Sequence, residues 1–148
     1  MIYIKKAKLE DCKEIAKLFD AYRVFYKLKS DIEAAELFLR ERISNNESEL
    51  FIAYTSSNEF TGFVQLYPIF SSTRMKRLWL LNDLFVSPEY RGQGISKLLI
   101  EKSKELCRET KACSLLLETA KTNEIGNQLY PSAGLKLDEE HNYYTWDN

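Results

Sequence analysis

Four residues between a predicted strand and a predicted helix have the types and spacing suited to binding a phosphate: Arg91, Gly92, Gly94 and Ser96. The N–H groups in the first turn of a helix lack partners within the helix, and the helix dipole places partial positive charge at that end. Glycines have no Cβ, so the backbone can curl and bring several N–H groups to one anion. Arg91 adds a cation. The segment therefore predicts an anion site at a helix N-terminus.

Two familiar phosphate-binding motifs do not fit this loop. A P-loop ends in Gly-Lys-Ser or Gly-Lys-Thr, which the chain lacks. The dinucleotide fingerprint needs a third glycine three residues after Gly94, where Lys97 stands. For a bare Gly-x-Gly an ordinary strand-to-helix turn is the competing interpretation, and Pro88, Arg91 and the following helix argue against it.

The run VSPEYRGQGI, which begins at Val86, resembles the cofactor loop of the GNAT superfamily of acyl-CoA-dependent N-acyltransferases. That loop has the pattern Arg/Gln-x-x-Gly-x-Gly/Ala after a strand. With Asn82-Asp83 upstream, the run is most similar to the polyamine (diamine) acetyltransferase branch, although Gly or Ala is usual where Ser96 stands. The resemblance implies acetyl-CoA as cosubstrate, no metal, and a pyrophosphate site. The residues it assigns to that site are Arg91, Gly92, Gln93, Gly94, Ile95, Ser96 and Lys97.

The strand before the loop is expected to hold the rest of the cofactor. In this superfamily the fourth and fifth strands splay apart, and the pantetheine arm lies along the fourth. The resemblance therefore assigns backbone hydrogen bonds with the cofactor to Leu84, Phe85 and Val86. The physical basis is that an unpaired strand edge offers regularly spaced donors and acceptors to an amide-bearing chain.

A second motif lies downstream, where Asn123, Leu129-Tyr130 and Gly134-Leu135 resemble the superfamily's asparagine, Leu-Tyr and Gly-hydrophobic signature. Asn123 suits a helix N-cap, and Gly134 suits the position just after that helix. The resemblance adds Asn123 and Gly126 to the residues expected to contact the cofactor.

Tyr130 is the residue of this motif that we expect to carry chemistry. Forming an amide from a thioester requires a neutral amine, stabilisation of the oxyanion and a proton for the departing thiolate. A phenol, with a reference pKa of about 10, remains protonated at neutral pH and can supply that proton. The place of Tyr130 in the signature favours this role over simple packing of a helix on a sheet. The expected reaction is direct transfer, with no covalent enzyme intermediate.

The group that takes the proton from the amine has several candidates. A primary ammonium, with a reference pKa of about 10.4, must lose a proton before attack. Polyamine acetyltransferases carry Glu-Asp where this chain has Asn82-Asp83, and an amide is not a base. Asp83, directly or through water, and Glu118 on the next strand are the candidates, since partial burial raises a carboxyl pKa. A structural hydrogen-bonding role for Asp83 beside a bulge is an equal alternative.

The amine acceptor stays open between a polyamine, an aminoglycoside and a lysine-type amine. Tyr26, Asn82 and Glu118 are the candidate substrate-binding residues, because aromatic faces and acidic groups attract cations. Core packing is the competing role of Tyr26, which lies on the apolar stripe of the first helix. An alternative function is a catalytically weak acyl-CoA-binding module that acts as a sensor or a protein-interaction domain. Asn82 and Ser96 are the departures that favour it.

Hydrophobic periodicity predicts the elements that position these motifs. Ser30-Asp31-Ile32-Glu33 matches a capping box at the start of the second helix. The expected fold is α/β (α+β), a single GNAT-like N-acetyltransferase domain over residues 1–148, with a mixed, mostly antiparallel twisted sheet of about six to seven strands and four flanking helices. The predicted strands are 2–7, 50–54, 61–69, 78–86, 114–119 and 143–146, and the helices begin near residues 10, 32, 95 and 123.

Composition argues against several other classes of protein. A length of 148 residues with 45% hydrophobic content suits one small core. The net charge of −1 argues against a nucleic-acid binder. Because no apolar run could span a bilayer, we expect a cytoplasmic protein without a membrane partner. The three cysteines lack metal-ligand spacing, and a hydrolase triad would depend on His141 alone.

The expected partners are therefore a coenzyme A thioester and a small-molecule or peptide amine. A homodimer is a further possibility, because members of the superfamily often pair through C-terminal strands and Tyr143-Tyr144-Thr145-Trp146 has the pattern of one. The same residues could instead complete the sheet of a monomer.

Overall fold

The computed structural model describes all 148 residues, which form two compact units, Met1–Glu118 and Thr119–Asn148. The first unit contains every strand, and the second contains the last α-helix. None of the helices is both long and apolar enough to cross a membrane. In chain order the elements are β1 (Ile2–Lys6), α1 (Cys12–Phe25), α2 (Ile32–Ser44), β2 (Glu49–Thr55), β3 (Phe60–Ser71), β4 (Lys76–Val86), α3 (Ile95–Glu109), β5 (Leu115–Leu116) and α4 (Glu124–Ser132), with short 3-10 turns at Leu9–Asp11 and Pro88–Tyr90.

The sheet follows chain order, β1-β2-β3-β4-β5, with the first four strands antiparallel and β5 parallel to β4. This mixed, mostly antiparallel sheet and the four α-helices confirm the predicted fold class. The strand count is lower than predicted, because the segment Tyr143–Trp146 has no regular structure and Tyr144 is 89% exposed. An aromatic run favours a strand only where neighbouring strands bury it, and these side chains are not buried.

Helices α1 and α3 cover opposite faces of the sheet. The Phe19 ring of α1 lies 6.1 Å from that of Phe63 on β3. Phe51 of β2, whose ring lies 5.6 Å from Lys102 of α3, pairs with Val64, the neighbour of Phe63. Since successive residues of a strand point to opposite faces, the two helices lie on opposite sides.

The helical spacing of the sequence predicts that Ile95, Leu98, Leu99 and Leu106 share one buried face of α3. The face that is buried differs slightly from this prediction. Ile95, Leu99 and Leu106 are buried as expected, but Leu98 is 45% exposed. Ser103 takes a buried place instead and donates a hydrogen bond to Leu99 O at 2.9 Å. Ile100 is buried as well, and these five residues form one stripe along the helix that leaves Leu98 at its margin.

The predicted capping box at the start of α2 is wrong. Asp31, not Ser30, is the N-cap, and its side chain accepts a hydrogen bond from Ala34 N at 3.0 Å. Ser30 instead donates to the buried carboxylate of Asp20 on α1, at 2.6 Å, and Asp31 N donates to the same carboxylate at 2.7 Å. A tertiary partner has therefore taken the hydroxyl that the local motif assigns to the cap.

Candidate active site

The second half of β4 has one open edge. Pairing with β5 joins only Trp79 to Leu115 and Leu80 to Leu116, whereas pairing with β3 continues as far as Val86. The fourth and fifth strands therefore splay apart, as the fold class predicts. Leu84, Phe85 and Val86, the residues expected to bind the pantetheine arm, all lie in the splayed half.

The loop after β4 has the backbone that its glycines suggest. Gly92 has φ 78° and Gly94 has φ 77°, both in the left-handed region that glycine adopts without penalty. Gly94 is also the N-cap of α3. A Cβ built on either glycine would meet no atom within 4 Å, so the backbone conformation, rather than crowding within the chain, is what calls for glycine.

A run of main-chain donors follows from this backbone. The bonds that bracket the loop are Arg91 N–H to Pro88 O at 3.3 Å and Leu98 N–H to Gly94 O at 3.2 Å. Between them, the N–H groups of residues 92–97 have no acceptor within the chain. Gln93 and Lys97 are exposed and Ser96 is half-buried, while the Ile95 side chain is buried in the core. The loop can therefore offer several N–H groups to one anion at the start of α3.

Arg91 connects the loop to β4 and α1. Its Nε donates to Val86 O at 3.0 Å. Its guanidinium carbon lies 5.5 Å from the centre of the Phe25 ring and 5.6 Å from that of Phe85. The hydrogen bond uses one of five guanidinium N–H donors, so the same side chain can brace the loop and still present N–H groups to an anion.

A bulge in β4 sets the direction of Asp83. Leu81 pairs with Leu66 and Asp83 pairs with Gln65, which leaves Asn82 as an extra residue on β4. Because Gln65 and Leu66 are consecutive, their side chains point to opposite faces, and so do those of Asp83 and Leu81. Without the extra residue, Asp83 and Leu81 would share a face.

The Asp83 carboxylate is buried, with 5% of the residue exposed. It accepts hydrogen bonds from Gln65 Nε2 at 2.9 Å, from Asn82 Nδ2 at 3.1 Å and from the Tyr22 side chain of α1. Burial raises the pKa of this carboxyl, and the three hydrogen bonds oppose that rise. Burial, with the charge of Asp83 as a second cause, raises the pKa of Tyr67 to about 12.

Asp83 has features of both roles that the sequence left as alternatives, and its role as the base stays a prediction. It is hydrogen-bonded beside a bulge, and it has the raised pKa expected of a buried base. Glu118, the other candidate base, is exposed at the end of the first unit. The partial burial that the sequence argument required is thus found at Asp83 and not at Glu118.

The aromatic residues near the end of α1 divide into two groups. Tyr22 is half-buried, with its ring 6.0 Å from Phe63 and 6.1 Å from Phe85. Tyr26 is 52% exposed, and its ring lies 5.0 Å from that of Tyr22. The core-packing role that competed for Tyr26 is thus wrong, because Tyr26 lies just past the end of α1 and about half of it is exposed.

Gln65 and Tyr22 are the contacts of Asp83 that sequence motifs missed. Neither lies in a recognised motif of the sequence. A bulge beside Asp83 is among the predictions, but the residue of β3 that lies opposite Asp83 depends on the register of β3 on β4, which no local pattern specifies. The one available signal was a glutamine within the apolar run of a predicted strand.

In the second unit, the predicted caps of α4 are confirmed. Asn123 is the N-cap, and its Oδ1 accepts from Gly126 N at 3.1 Å, while its Nδ2 donates to Thr119 Oγ1 at 2.9 Å. Gly134 has φ 87°, and Leu135 N donates to Tyr130 O at 3.0 Å, which closes the helix.

Two predicted site residues of α4 have these local surroundings. A Cβ on Gly126 would strike the Asn123 side chain, so the N-cap itself requires glycine there. Tyr130 is half-buried in the last turns of the helix. The local geometry thus gives Gly126 a structural reason for its identity.

Comparison with known proteins agrees with the fold. An uncharacterized N-acetyltransferase of Bacillus subtilis (strain 168), YhfO, is 42% identical over 141 residues, which is 95% of this chain and 94% of that protein. The crystal structure of a probable acetyltransferase superposes with a TM-score of 0.95 at 37% identity, over 99% of this chain and 97% of that one. Thialysine N-epsilon-acetyltransferase of Sus scrofa is 25% identical, over 91% of this chain and 84% of that protein. Residues 12–135 match the Acetyltransferase (GNAT) family, and the chain belongs to this family of N-acetyltransferases.

Proposed function

We propose that the protein moves the acetyl group of acetyl-CoA directly to the primary amine of a lysine-type acceptor, with Asp83 as general base and Tyr130 as general acid. The observation that carries the proposal is a buried, hydrogen-bonded Asp83 on the splayed half of β4. Burial raises the pKa of the Asp83 carboxyl, which brings it closer to the pKa of the ammonium group whose proton it must accept.

The donor site is proposed on the loop and the strand edge. The N–H groups of residues 92–97 suit the pyrophosphate, with cations from Arg91 and Lys97 beside them. The open edge of β4 at Leu84, Phe85 and Val86 suits the amides of the pantetheine arm. Both supports are main-chain features, which can bind the cofactor whatever the acceptor is. Single-domain organisation over residues 1–148 and a cytoplasmic location belong to the same proposal.

The proposed chemistry needs three proton transfers and the reprotonation of Tyr130. The ammonium group of the acceptor gives a proton to Asp83, directly or through water, and its nitrogen then attacks the thioester carbon. The tetrahedral intermediate collapses by breaking the C–S bond, and the departing thiolate takes a proton from the Tyr130 hydroxyl. The nitrogen releases its second proton to water, and the Tyr130 phenolate regains a proton from water. The products are an N-acetyl amide and coenzyme A.

The charge of the α1–α2 connection supports a lysine-type acceptor over a polyamine or an aminoglycoside. This connection, residues 26–31, contains Lys27 and Lys29, and its one acidic residue, Asp31, caps α2 by accepting from Ala34 N. Arg23, at the end of α1, is paired with Asp20 at 3.8 Å. Lys27 and Lys29 are exposed and make no ion pair. Phe25 contacts Arg91, which places this basic connection beside the loop. It repels a polycation but attracts the carboxylate of an amino acid, as the name of the thialysine N-epsilon-acetyltransferase relative also suggests.

Binding and turnover test the proposal separately. Acetyl-CoA should raise the Tm of the protein, and release of the coenzyme A thiol should be faster with lysine than with spermidine or an aminoglycoside at equal concentration. Stabilisation without turnover on any of these amines would favour the acyl-CoA-binding module, which Asn82, in place of an acidic residue, keeps as the second candidate. A lack of stabilisation would contradict both.

The two catalytic assignments have their own variants. Tyr130→Phe should lower kcat with little change in acetyl-CoA affinity, whereas Tyr143→Phe, in the exposed C-terminal segment, should behave as wild type. Glu118→Gln should retain activity, because its carboxylate is exposed. A large loss in Glu118→Gln, with Asp83→Asn active, would transfer the base role to Glu118.

A further inference from the structure

Gln65 is the most deeply buried polar neighbour of the proposed base. It lies opposite Asp83 in the register of β3 on β4 and has no exposed surface. Its Nε2 donates to Asp83 Oδ2 at 2.9 Å, and its Oε1 has no hydrogen-bond partner. The amide therefore makes one side-chain hydrogen bond, and Asp83 is its acceptor.

Fold stability alone does not account for this residue. A buried amide with an unpaired oxygen is costly, and an apolar side chain of the same length would fill the space without that cost. The hydrogen bond to the charged Asp83 carboxylate is the one favourable interaction in the structure that offsets this cost. What Gln65 provides is thus a fixed donor for Asp83.

The donors around Asp83 come from different elements and differ in exposure. Asn82 is its exposed neighbour on β4, and Tyr22 is half-buried on α1. Gln65 alone of the three is fully buried and lies on the adjacent strand. The titratable groups that face the carboxylate are Tyr22 from α1 and Tyr67 from β3, and Arg42 of α2 acts on Tyr67.

We infer that Gln65 is a positioning residue for acetyl transfer, which holds the Asp83 carboxylate in one orientation and sets the pH range in which it accepts a proton. This inference rests on the proposed role of Asp83 as the base. Gln65 touches neither cofactor nor acceptor and acts through the carboxylate. Its removal should therefore change the pH dependence of the reaction and leave cofactor binding unaltered.

The experiment compares Gln65→Met and Gln65→Glu with a matched control, Thr61→Val. Thr61 also lies on β3, is fully buried, and donates one side-chain hydrogen bond, to Ala53 O at 3.1 Å. The pH profile of kcat and the shift of Tm by acetyl-CoA are measured for each variant, for wild type and for Asp83→Asn.

Loss of the donor raises the pKa of Asp83, so the acidic limb of the kcat profile in Gln65→Met should move up by about one pH unit, with a roughly tenfold loss at the foot of that limb. The limb in Gln65→Glu should move further, because a second carboxylate disfavours ionisation of the first. The limb in Thr61→Val should stay in place. Acetyl-CoA should stabilise all of these variants as it stabilises wild type.

The outcomes separate the inference from the proposal beneath it. Wild-type turnover in Asp83→Asn would overturn the base assignment, and the inference with it. A loss in Asp83→Asn with the limb of both Gln65 variants at the position of Thr61→Val would overturn the inference and leave the base in place. If Gln65→Met fails to fold, as the absence of a cooperative thermal transition would indicate, the limb of Gln65→Glu decides alone. A folded Gln65 variant that acetyl-CoA does not stabilise would contradict the inference.

Discussion

The loop at residues 91–97 and the surroundings of Asp83 use different kinds of hydrogen-bonding group. The loop offers main-chain N–H groups, most of them in exposed residues, at the start of α3. Asp83 is held by side chains, in the interior, between β3, β4 and α1. A site made of backbone depends on glycines and a helix terminus, which a local motif specifies. A site made of buried side chains depends on strand register, which it does not.

The largest expected effect is the loss of kcat when the Asp83 carboxylate is removed. Asp83→Asn should reduce kcat at neutral pH by about a hundredfold or more, the usual contribution of general base catalysis. Affinity for acetyl-CoA should be unchanged, because the groups of the proposed cofactor site lie elsewhere on β4 and the loop. Steady-state kinetics and calorimetric titration with acetyl-CoA measure the two quantities. A parallel loss of both would mean that the carboxylate supports the fold of β4 rather than the reaction.

Gly94→Val changes the backbone of the loop instead. A β-branched residue at φ 77° strains the backbone by roughly 1–2 kcal/mol or moves the N–H groups, so the Kd for acetyl-CoA should rise at least tenfold. The kcat at saturating cofactor should change much less. Asn58→Val is the matched control, since Asn58 has φ 63° in the β2–β3 turn, away from the loop. Equal weakening of cofactor binding in both variants would attribute the effect to general destabilisation.

Arg91→Lys tests the residue that connects the loop to β4 and α1. The ammonium keeps the positive charge but loses the planar donor to Val86 O and the stacking on Phe25 and Phe85. Affinity for acetyl-CoA should fall about fivefold, and unfolding should be easier by about 1 kcal/mol. Calorimetric titration and urea denaturation report these changes. A variant with wild-type stability would show that Arg91 serves the ligand alone.

The smallest effect is a pH dependence of stability. Because burial raises the folded pKa of Asp83 above its unfolded value, the folded state favours the protonated carboxyl. Stability from this group is fully present below the unfolded pKa and is lost as pH rises through the folded pKa. The Tm of wild type relative to Asp83→Asn should therefore decrease by a few degrees as pH rises from about 4 into the neutral range. Thermal melts at a series of pH values measure it, and a difference that is constant with pH would contradict it.

The sequence predicted the main helices and strands and the loop at residues 91–97 well, because both depend on short-range patterns. Helical periodicity located α1 and α3, and the glycine spacing located the turn before α3. The sequence failed where distant residues compete for a local signal. Ser30 has the type and position of a cap, but the buried Asp20 takes its hydroxyl.

The proposed base illustrates the same limit more strongly. Asp83 was a candidate from its motif, but its burial and its partner Gln65 follow from the register of β3 on β4. That register changes at Asn82, and the continuous apolar runs on either side of Asn82 and Asp83 do not specify which residues of β3 lie opposite. The aromatic segment Tyr143–Trp146 is the reverse case, where a clear local pattern has no strand to pair with in the chain.

The extra residue at Asn82 makes β4 sensitive to length rather than to composition. Its own side chain is exposed, so substitutions there change little of the packing. Deletion of that one residue would restore regular alternation and exchange the faces of everything from Asp83 to the loop. The strand would then bring a carboxylate against α3 and turn the Phe85 ring away from α1. In this part of the molecule a loss of one codon is therefore far more damaging than almost any change of one.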